Sequence, residues 1–232
     1  MIDVSFDFQK EANYKDPDRY SPTLQEYHRI LWSKPLPNGK PFTLTKISNN
    51  RLYHKSSLGE FYLSSDRAIT SFWKRKSFNH IASEFSVDEL KEYDRILDTI
   101  GGIVVWPSNR IEGCQTINGA RGFNRMISDR LDLTIECIRL FYAGEKSPLY
   151  NTLKLYEDFF SLFGDFQGFI TFFLLQDALT NDFTKVKIAE PFDNFNSSPV
   201  PRNITEFLQY RDKTIEFVNL RNKRIKNYTK TL

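Results

Sequence analysis

The sequence predicts an α+β fold in one domain, with a β-rich N-terminal half packed against a helical C-terminal half. Three observations predict it. Residues 42–70 hold short alternating apolar and polar runs separated by turn residues, the pattern of an antiparallel meander. Residues 102–106 form an uninterrupted apolar run after Gly101-Gly102, as expected of a strand buried on both faces. Beyond residue 129 the apolar positions recur at helical spacing between Ser-Pro and Gly punctuation. With 232 residues the chain is long enough to bury a sizeable core.

Taken in order, residues 1–20 are polar, and Lys15-Asp16-Pro17-Asp18 marks them as irregular. Ser21-Pro22 is a hydroxyl cap followed by proline, which opens a helix over 22–32 with Leu24, Tyr27, Ile30 and Leu31 together. Pro37-Asn38-Gly39 is a turn. PFTLTKI, RLYHKS after an Asn-Asn turn, and EFYLSSD after Leu58-Gly59 supply the three meander strands, and WKRKSFNH reads as a basic surface turn. Ser86-Val87-Asp88-Glu89 is a capping box for a helix reaching about Asp98. A long polar loop over 107–124 precedes a helix over 129–142 that Gly144 stops. Ser147-Pro148 begins the next helix, with Leu149, Leu153, Tyr156, Phe159, Phe160 and Phe163 on its apolar positions. FITFFLLQDAL reads as one core helix over 169–179, and VKIAEPF as a return to the sheet. Asn203 to Glu206 caps a last helix, and residues 221–232 form its basic tail.

Composition excludes several classes. A net charge of +3, from 32 basic and 29 acidic residues, argues against a dedicated duplex binder. Cys114 and Cys137 are too few for a disulfide framework or a structural zinc site, and His28, His54 and His80 lack metal-ligand spacing. No run approaches the roughly 18 apolar residues of a membrane span, so a cytoplasmic protein with no membrane partner is expected. The 21 Phe and 11 Tyr point to a ring-filled interior.

The candidate site lies in residues 101–139. In the loop, Asn109, Arg110, Thr116, Asn118 and Arg121 are the expected ligand-binding residues. Asn118-Gly119 and Arg121-Gly122 permit positive φ, so backbone N–H groups could converge on an anion while the arginines clamp it. Neither phosphate-loop consensus is present, and the alternative is a structural loop whose arginines pair with nearby acids. On the following helix Asp129, Asp132, Glu136 and Arg139 fall within a sector of roughly 80° at 100° per residue. Glu136 is the expected general acid or base, alone or with Asp132, and the pair could instead ligate a metal through oxygen. The structural alternative braces Glu136 against Arg139, Arg110 or Arg121.

Tyr53-His54 with Leu63-Ser64-Ser65-Asp66 is faintly similar to the nicotinamide site of ADP-ribosyltransferases, which would make His54 and Ser65 accessory residues and NAD a cofactor to test beside a divalent cation. Glu136 or Glu112 would then complete the set; otherwise His54 is a strand histidine with a backbone partner. Arg221, Lys223, Arg224, Lys226 and Lys230, with Trp73-Lys74-Arg75-Lys76, could face a phosphate backbone or stand as a solvated terminus.

The runs YSPTLQEYHRILWSKPLPNGKPF, GEFYLSSD, TIGGIVVWPSNRI, TINGARGFNRMISDRLDLTIECIR and GDFQGFITFFLLQDAL resemble an uncharacterised bacterial family, a domain of unknown function. The resemblance spans residues 20 to 225 and implies no chemistry. The reading that follows is a bacterial or phage enzyme acting on a nucleotide or nucleic acid, ADP-ribosyltransferase-like or nuclease-like. The alternatives are a non-catalytic binding or regulatory protein with a protein partner, such as a defence-system component or an inhibitor, and a purely structural ion-pair knot.

Overall fold

The computed structural model describes residues 2–46, 52–69, 71–111, 113–189, 192 and 194–231. Residues 2–20 are irregular only in part, because two one-turn helices form there. Asp7 caps α1 (Phe8–Glu11) by accepting from the Lys10 N–H at 2.9 Å, and Asp16 with Pro17 starts α2 (Pro17–Tyr20). Burial of Ile2 and Phe8 anchors this segment to the core. The cap at Ser21 holds as expected: its hydroxyl accepts from Leu24 N–H, and α3 runs Pro22–Trp32.

The Pro37-Asn38-Gly39 turn joins β1 (Lys34–Pro35) to β2 (Pro41–Phe42), with Gly39 at φ +78°. PFTLTKI is therefore split between two sheets, because β3 (Thr45–Lys46) belongs to a separate four-stranded sheet. That sheet continues through β4 (Leu52–Ser56) and β5 (Gly59–Arg67). The expected turn at Asn49-Asn50 lies outside the described residues. WKRKSFNH is more than a surface turn: Trp73 and Phe78 are buried, and Trp73 stacks on Tyr93 at 4.5 Å. The short α4 (Asn79–Ala82) follows, then α5 (Val87–Leu97), whose Ser86–Glu89 capping box is complete.

β6 (Ile103–Pro107) closes the sheet in the order β3-β4-β5-β6, antiparallel throughout, and all five of its residues are buried. The glycines before it answer a close approach rather than a turn. A Cβ on Gly102 would lie 2.2 Å from the Leu97 carbonyl oxygen, and one on Gly101 2.5 Å from that of Val218.

The polar loop is shorter than expected, because Thr116 caps α6 (Ile117–Phe123). Gly119 and Gly122 are both helical, so the expected concavity of positive-φ backbone does not form. After Ser128 and Asp129, both left-handed, α7 runs Leu131–Tyr142. The next helix breaks at Tyr156 into α8 (Tyr150–Leu155) and α9 (Glu157–Ser161), where the Tyr156 hydroxyl donates to the Asn109 carbonyl at 2.7 Å. FITFFLLQDAL also breaks. α10 (Phe166–Phe172) ends at a turn with Leu174 at φ +53°, followed by a 3-10 turn at Gln176–Ala178. VKIAEPF contributes one isolated bridge, Leu179 to Val186, while Glu190 and Pro191 lie outside the described residues.

Asn203 caps the long α11 (Ile204–Tyr228) by accepting from Glu206 N–H, and the Glu206 carboxylate turns to Arg202 instead of completing a capping box. Buried side chains from Ile2 to Ile225 make one cluster, with Phe159, Phe163, Phe169, Phe172 and Phe173 ring against ring at 4.9–6.3 Å. The fold is α+β, with both sheets in the N-terminal half and, among the described residues, helices alone beyond β6. Among the described residues no helix is long and apolar enough to cross a membrane.

Candidate functional site

Side chains alternate across β5, so Ser65 and Arg67 share one face while Ser64 and Asp66 point to the other. α6 packs on the second face and carries two expected ligand residues into it. Arg121 is fully buried, and each of its five N–H donors has an acceptor. Nε donates to Thr134 Oγ1 at 3.2 Å, and Nη1 to Asp66 Oδ2 at 2.9 Å and the Arg67 carbonyl at 3.2 Å. Nη2 donates to the carbonyls of Ala68 at 3.2 Å and Asp129 at 2.8 Å. The Asp129 carboxylate stands 2.9 Å from Nη1. A guanidinium so enclosed fastens α6 to β5 and to the start of α7.

Asn118 reaches Ser64 Oγ at 3.4 Å and the Ser65 carbonyl at 3.5 Å, and its own Oδ1 is buried without a donor. Thr116 is the α6 cap. Asn109 extends the β5–β6 pairing, accepting from Tyr62 N–H at 2.6 Å and donating to the Glu60 carbonyl. Arg110 is exposed beside a recess of about 390 Å³ shared with Tyr62, Ser108 and Asn109. Arg110 and Arg121 therefore do not form one clamp: one faces solvent and the other is enclosed.

The acids of α7 are paired as well. Asp132 accepts from Arg130 Nε at 3.1 Å and Nη2 at 2.6 Å, and from Ala189 N–H at 2.9 Å. Arg130 is buried against the Tyr210 ring at 4.9 Å and donates to the Pro199 carbonyl. Glu136 and Arg139 form a two-pronged pair at 2.7 and 2.8 Å on the half-buried side of the helix. Thr134, which Arg121 touches, lies about 200° around α7 from Glu136. Among the described residues no group of three His, Cys, Asp or Glu side chains could hold a metal ion.

His54 and Ser65 are also separated. His54 pairs with Phe61, four residues and about 13 Å along β5 from Ser65. The imidazole is buried, stacked on Phe42 at 4.2 Å, with the Thr43 carbonyl and Ser56 Oγ each 2.9 Å from a ring nitrogen. Ser65 gives its N–H and hydroxyl to Asp18, whose carboxyl burial pushes up to about 6. Glu112 lies outside the described residues.

At the C-terminus the charge pattern separates into two environments. Arg221 is buried, and it donates to the carbonyls of Leu174 at 3.2 Å, Phe173 at 3.1 Å, Gly101 at 3.0 Å and Ile103 at 2.6 Å. These include the carbonyls freed where α10 breaks. It makes no ion pair within the described residues, and burial lowers its guanidinium to about 9. The nearby Asp177 is held by Arg224 at 2.7 and 2.8 Å. Lys223, Lys226 and Lys230 remain exposed, so Arg221 and Arg224 leave the basic surface expected of this tail.

One lysine has no such match. Lys34 Nζ lies 4.7 Å from the ring centroids of Phe172 and Tyr228 and 5.3 Å from that of Trp32. It makes no hydrogen bond or ion pair with any described residue. Burial, reinforced by the Arg221 cation, lowers its ammonium to about 7. It opens onto a cleft of about 610 Å³ between the β1–β2 turn, α10 and the end of α11. Pro35, Pro37 and Leu174 supply apolar wall, while Gln167, Thr171 and Gln176 supply polar groups. Gln176 Oε1 is buried without a donor. The nearest sequence signal for Lys34 is its place two residues after Trp32, and nothing in the sequence links it to Phe172 or Tyr228.

A second cleft of about 500 Å³ lies between α11 and residues 177–189. Two of its three acids, Asp132 and Asp177, are paired with Arg130 and Arg224, and Glu216, Lys187 and Lys213 also line it.

The protein is thus an α+β protein whose internal arginines are matched to backbone and acids, with one aromatic-caged lysine opening onto a cleft. The chain belongs to DUF6994, a family of unknown function, whose match covers residues 2–225. No curated protein and no solved structure matches it.

Proposed function

We propose that the protein binds a small anionic molecule in the Lys34 cleft. The observation that carries this reading is an ammonium group surrounded by ring faces, beside a second buried cation, with no acid among the described residues paired to either. A carboxylate or phosphate entering the cleft would neutralise that potential, and in so dry a place the attraction is screened far less than at the surface. The volume of about 610 Å³ is that of a metabolite site. Its apolar wall suits a ligand body, and the unfilled acceptor of Gln176 suits a hydroxyl or amine on it.

Nucleotides carry such an anionic group, so the ligand class expected from the sequence stays in the test at a different place in the fold. The experiment is a thermal-shift panel of nucleotides, NAD, sugar phosphates and 2-oxo acids against wild type, Lys34→Met and Arg110→Ala. A ligand at 100 times its Kd adds about 2.7 kcal/mol of stability, a shift of about 5–10 °C. The expected result is a shift that survives Arg110→Ala and vanishes in Lys34→Met. A shift retained in Lys34→Met, or none with any anion of the panel, overturns the reading.

A further inference from the structure

We propose that Lys34 Nζ is a nucleophile that forms an imine with the carbonyl carbon of a 2-oxo acid bound in this cleft. The inference rests on the anion-binding reading and deepens it from a site to a reaction.

Three features of the geometry support it. An amine attacks through its lone pair, and the Lys34 side chain is neither hydrogen-bonded nor ion-paired among the described residues, so no acceptor there ties up its proton. Of the surrounding charges, the Arg221 cation acts the same way and the Asp165 carboxylate opposes it. From α11 come the Arg221 cation and the Tyr228 phenol, and from the start of α10 the Asp165 carboxylate, which is engaged by the Gly168 N–H at 2.7 Å. Asp177 is engaged by Arg224. With burial added, the ammonium loses its proton near pH 7, the condition under which a lysine reacts at physiological pH. The ring faces of Trp32, Phe172 and Tyr228 serve the product: a protonated imine is again a cation, and it would occupy the same aromatic surround.

The substrate class follows from the charges. A carboxylate bonded directly to the reacting carbonyl carbon lies beside the Lys34 nitrogen, where it answers both that nitrogen's developing charge and Arg221 behind it. A simple aldehyde would place a cation there with no counter-ion. The step is balanced without a co-reactant. The nitrogen lone pair forms the N–C bond as the C=O π pair moves to oxygen, and a proton passes from nitrogen to that oxygen. The carbinolamine then loses the oxygen as water, which carries away both protons of the original amine, the C=N bond remains, and a proton from solvent converts the neutral imine to its cationic form.

The test is reductive trapping: intact protein with pyruvate or 2-oxoglutarate and borohydride at pH 7.5, read by intact mass and peptide mapping. Wild type, Lys34→Arg and Lys213→Met are compared, with the thermal shift of each ligand measured in parallel. The expected result is a single adduct whose mass is that of the acid less one oxygen, mapped to Lys34 and absent in Lys34→Arg. Lys213→Met, at the other cleft, should trap normally. At this pH the free-amine fraction favours Lys34 over an ordinary lysine by on the order of 1,000-fold. Adducts spread over many lysines and unchanged in Lys34→Arg overturn the inference. A ligand that shifts the melting temperature of wild type and Lys34→Arg but never traps overturns the imine and leaves anion binding standing. Neither shift nor adduct overturns both.

Discussion

Replacing Arg121 with alanine removes the donor to two carboxylates, three carbonyls and one hydroxyl in a single step. Asp129 keeps only 17% of its side-chain exposure and the Ala68 carbonyl contact is fully buried, so water cannot replace most of what is lost. Removing one partner of such a buried pair costs about 3–5 kcal/mol, because the other is left charged and desolvated. For a chain of this size each kcal/mol lowers the melting temperature by about 2–4 °C, which gives a fall of about 6–20 °C. Arg110→Ala is the control, since an exposed side chain outside the packed core should change stability by no more than about 0.5 kcal/mol. Calorimetry and urea unfolding of the three proteins make the comparison. If Arg121→Ala melts within 2 °C of wild type, the guanidinium is not the brace described here. An Arg121→Ala protein that folds normally but loses a nucleotide-induced shift would restore the loop as a ligand site.

Three further outcomes follow from burial. Cys137 is fully buried with its thiol pushed up to about 11, whereas Cys114 is exposed, so native protein should react with one equivalent of a thiol reagent and unfolded protein with two. His28 is buried beside Arg221, which with burial lowers its imidazole to about 3; its NMR ring signals should not titrate between pH 7.5 and 5, and a midpoint above 6 would contradict that placement. Asp18 is raised to about 6 from an ordinary 3.8, so the native state holds the extra proton between those values. Its stabilising contribution is complete below about pH 4 and is lost as pH rises through 6. Wild type should therefore lose on the order of 2 kcal/mol relative to Asp18→Asn between pH 4 and 7, by urea unfolding at each pH; a constant difference would refute it.

Where a local rule acts alone, the sequence was readable. Ser21-Pro22, Ser86 with Glu89, Thr116, Asn203 and the Pro37-Asn38-Gly39 turn each specify an end or a corner through one or two hydrogen bonds between neighbours. Asp16-Pro17 obeys the same rule, although acid and proline together read as irregular structure. The misreadings lie where distant groups decide. FITFFLLQDAL has the composition of one core helix, yet it breaks at Leu174 because Arg221, some fifty residues later, takes the carbonyls of Phe173 and Leu174. The acidic stripe on α7 was correctly seen as half-buried, and its partner set was legible only for the neighbours Glu136 and Arg139.

The buried arginines of this chain answer its backbone. Wherever this chain turns sharply inside the core without glycine, carbonyls are left off any helix or strand ladder and need donors. Asp129, left-handed at φ +62°, gives its carbonyl to Arg121, and Leu174, at φ +53°, gives its own to Arg221. Arg130 does the same for Ala189 and Pro199 in the irregular stretch before α11. A planar guanidinium with five diverging donors can satisfy several carbonyls at once, which a single ammonium cannot match in geometry. In sequence such an arginine looks the same as one that clamps a phosphate, because both sit near polar turns and acids. Lys34 is the reverse case: it has the residue type poorly suited to bracing a turn, it braces nothing, and it sits at the edge of a cleft. The buried arginines are accounted for by the backbone they hold, whereas the Lys34 ammonium, at the cleft edge, has no hydrogen-bond or ion-pair partner among the described residues.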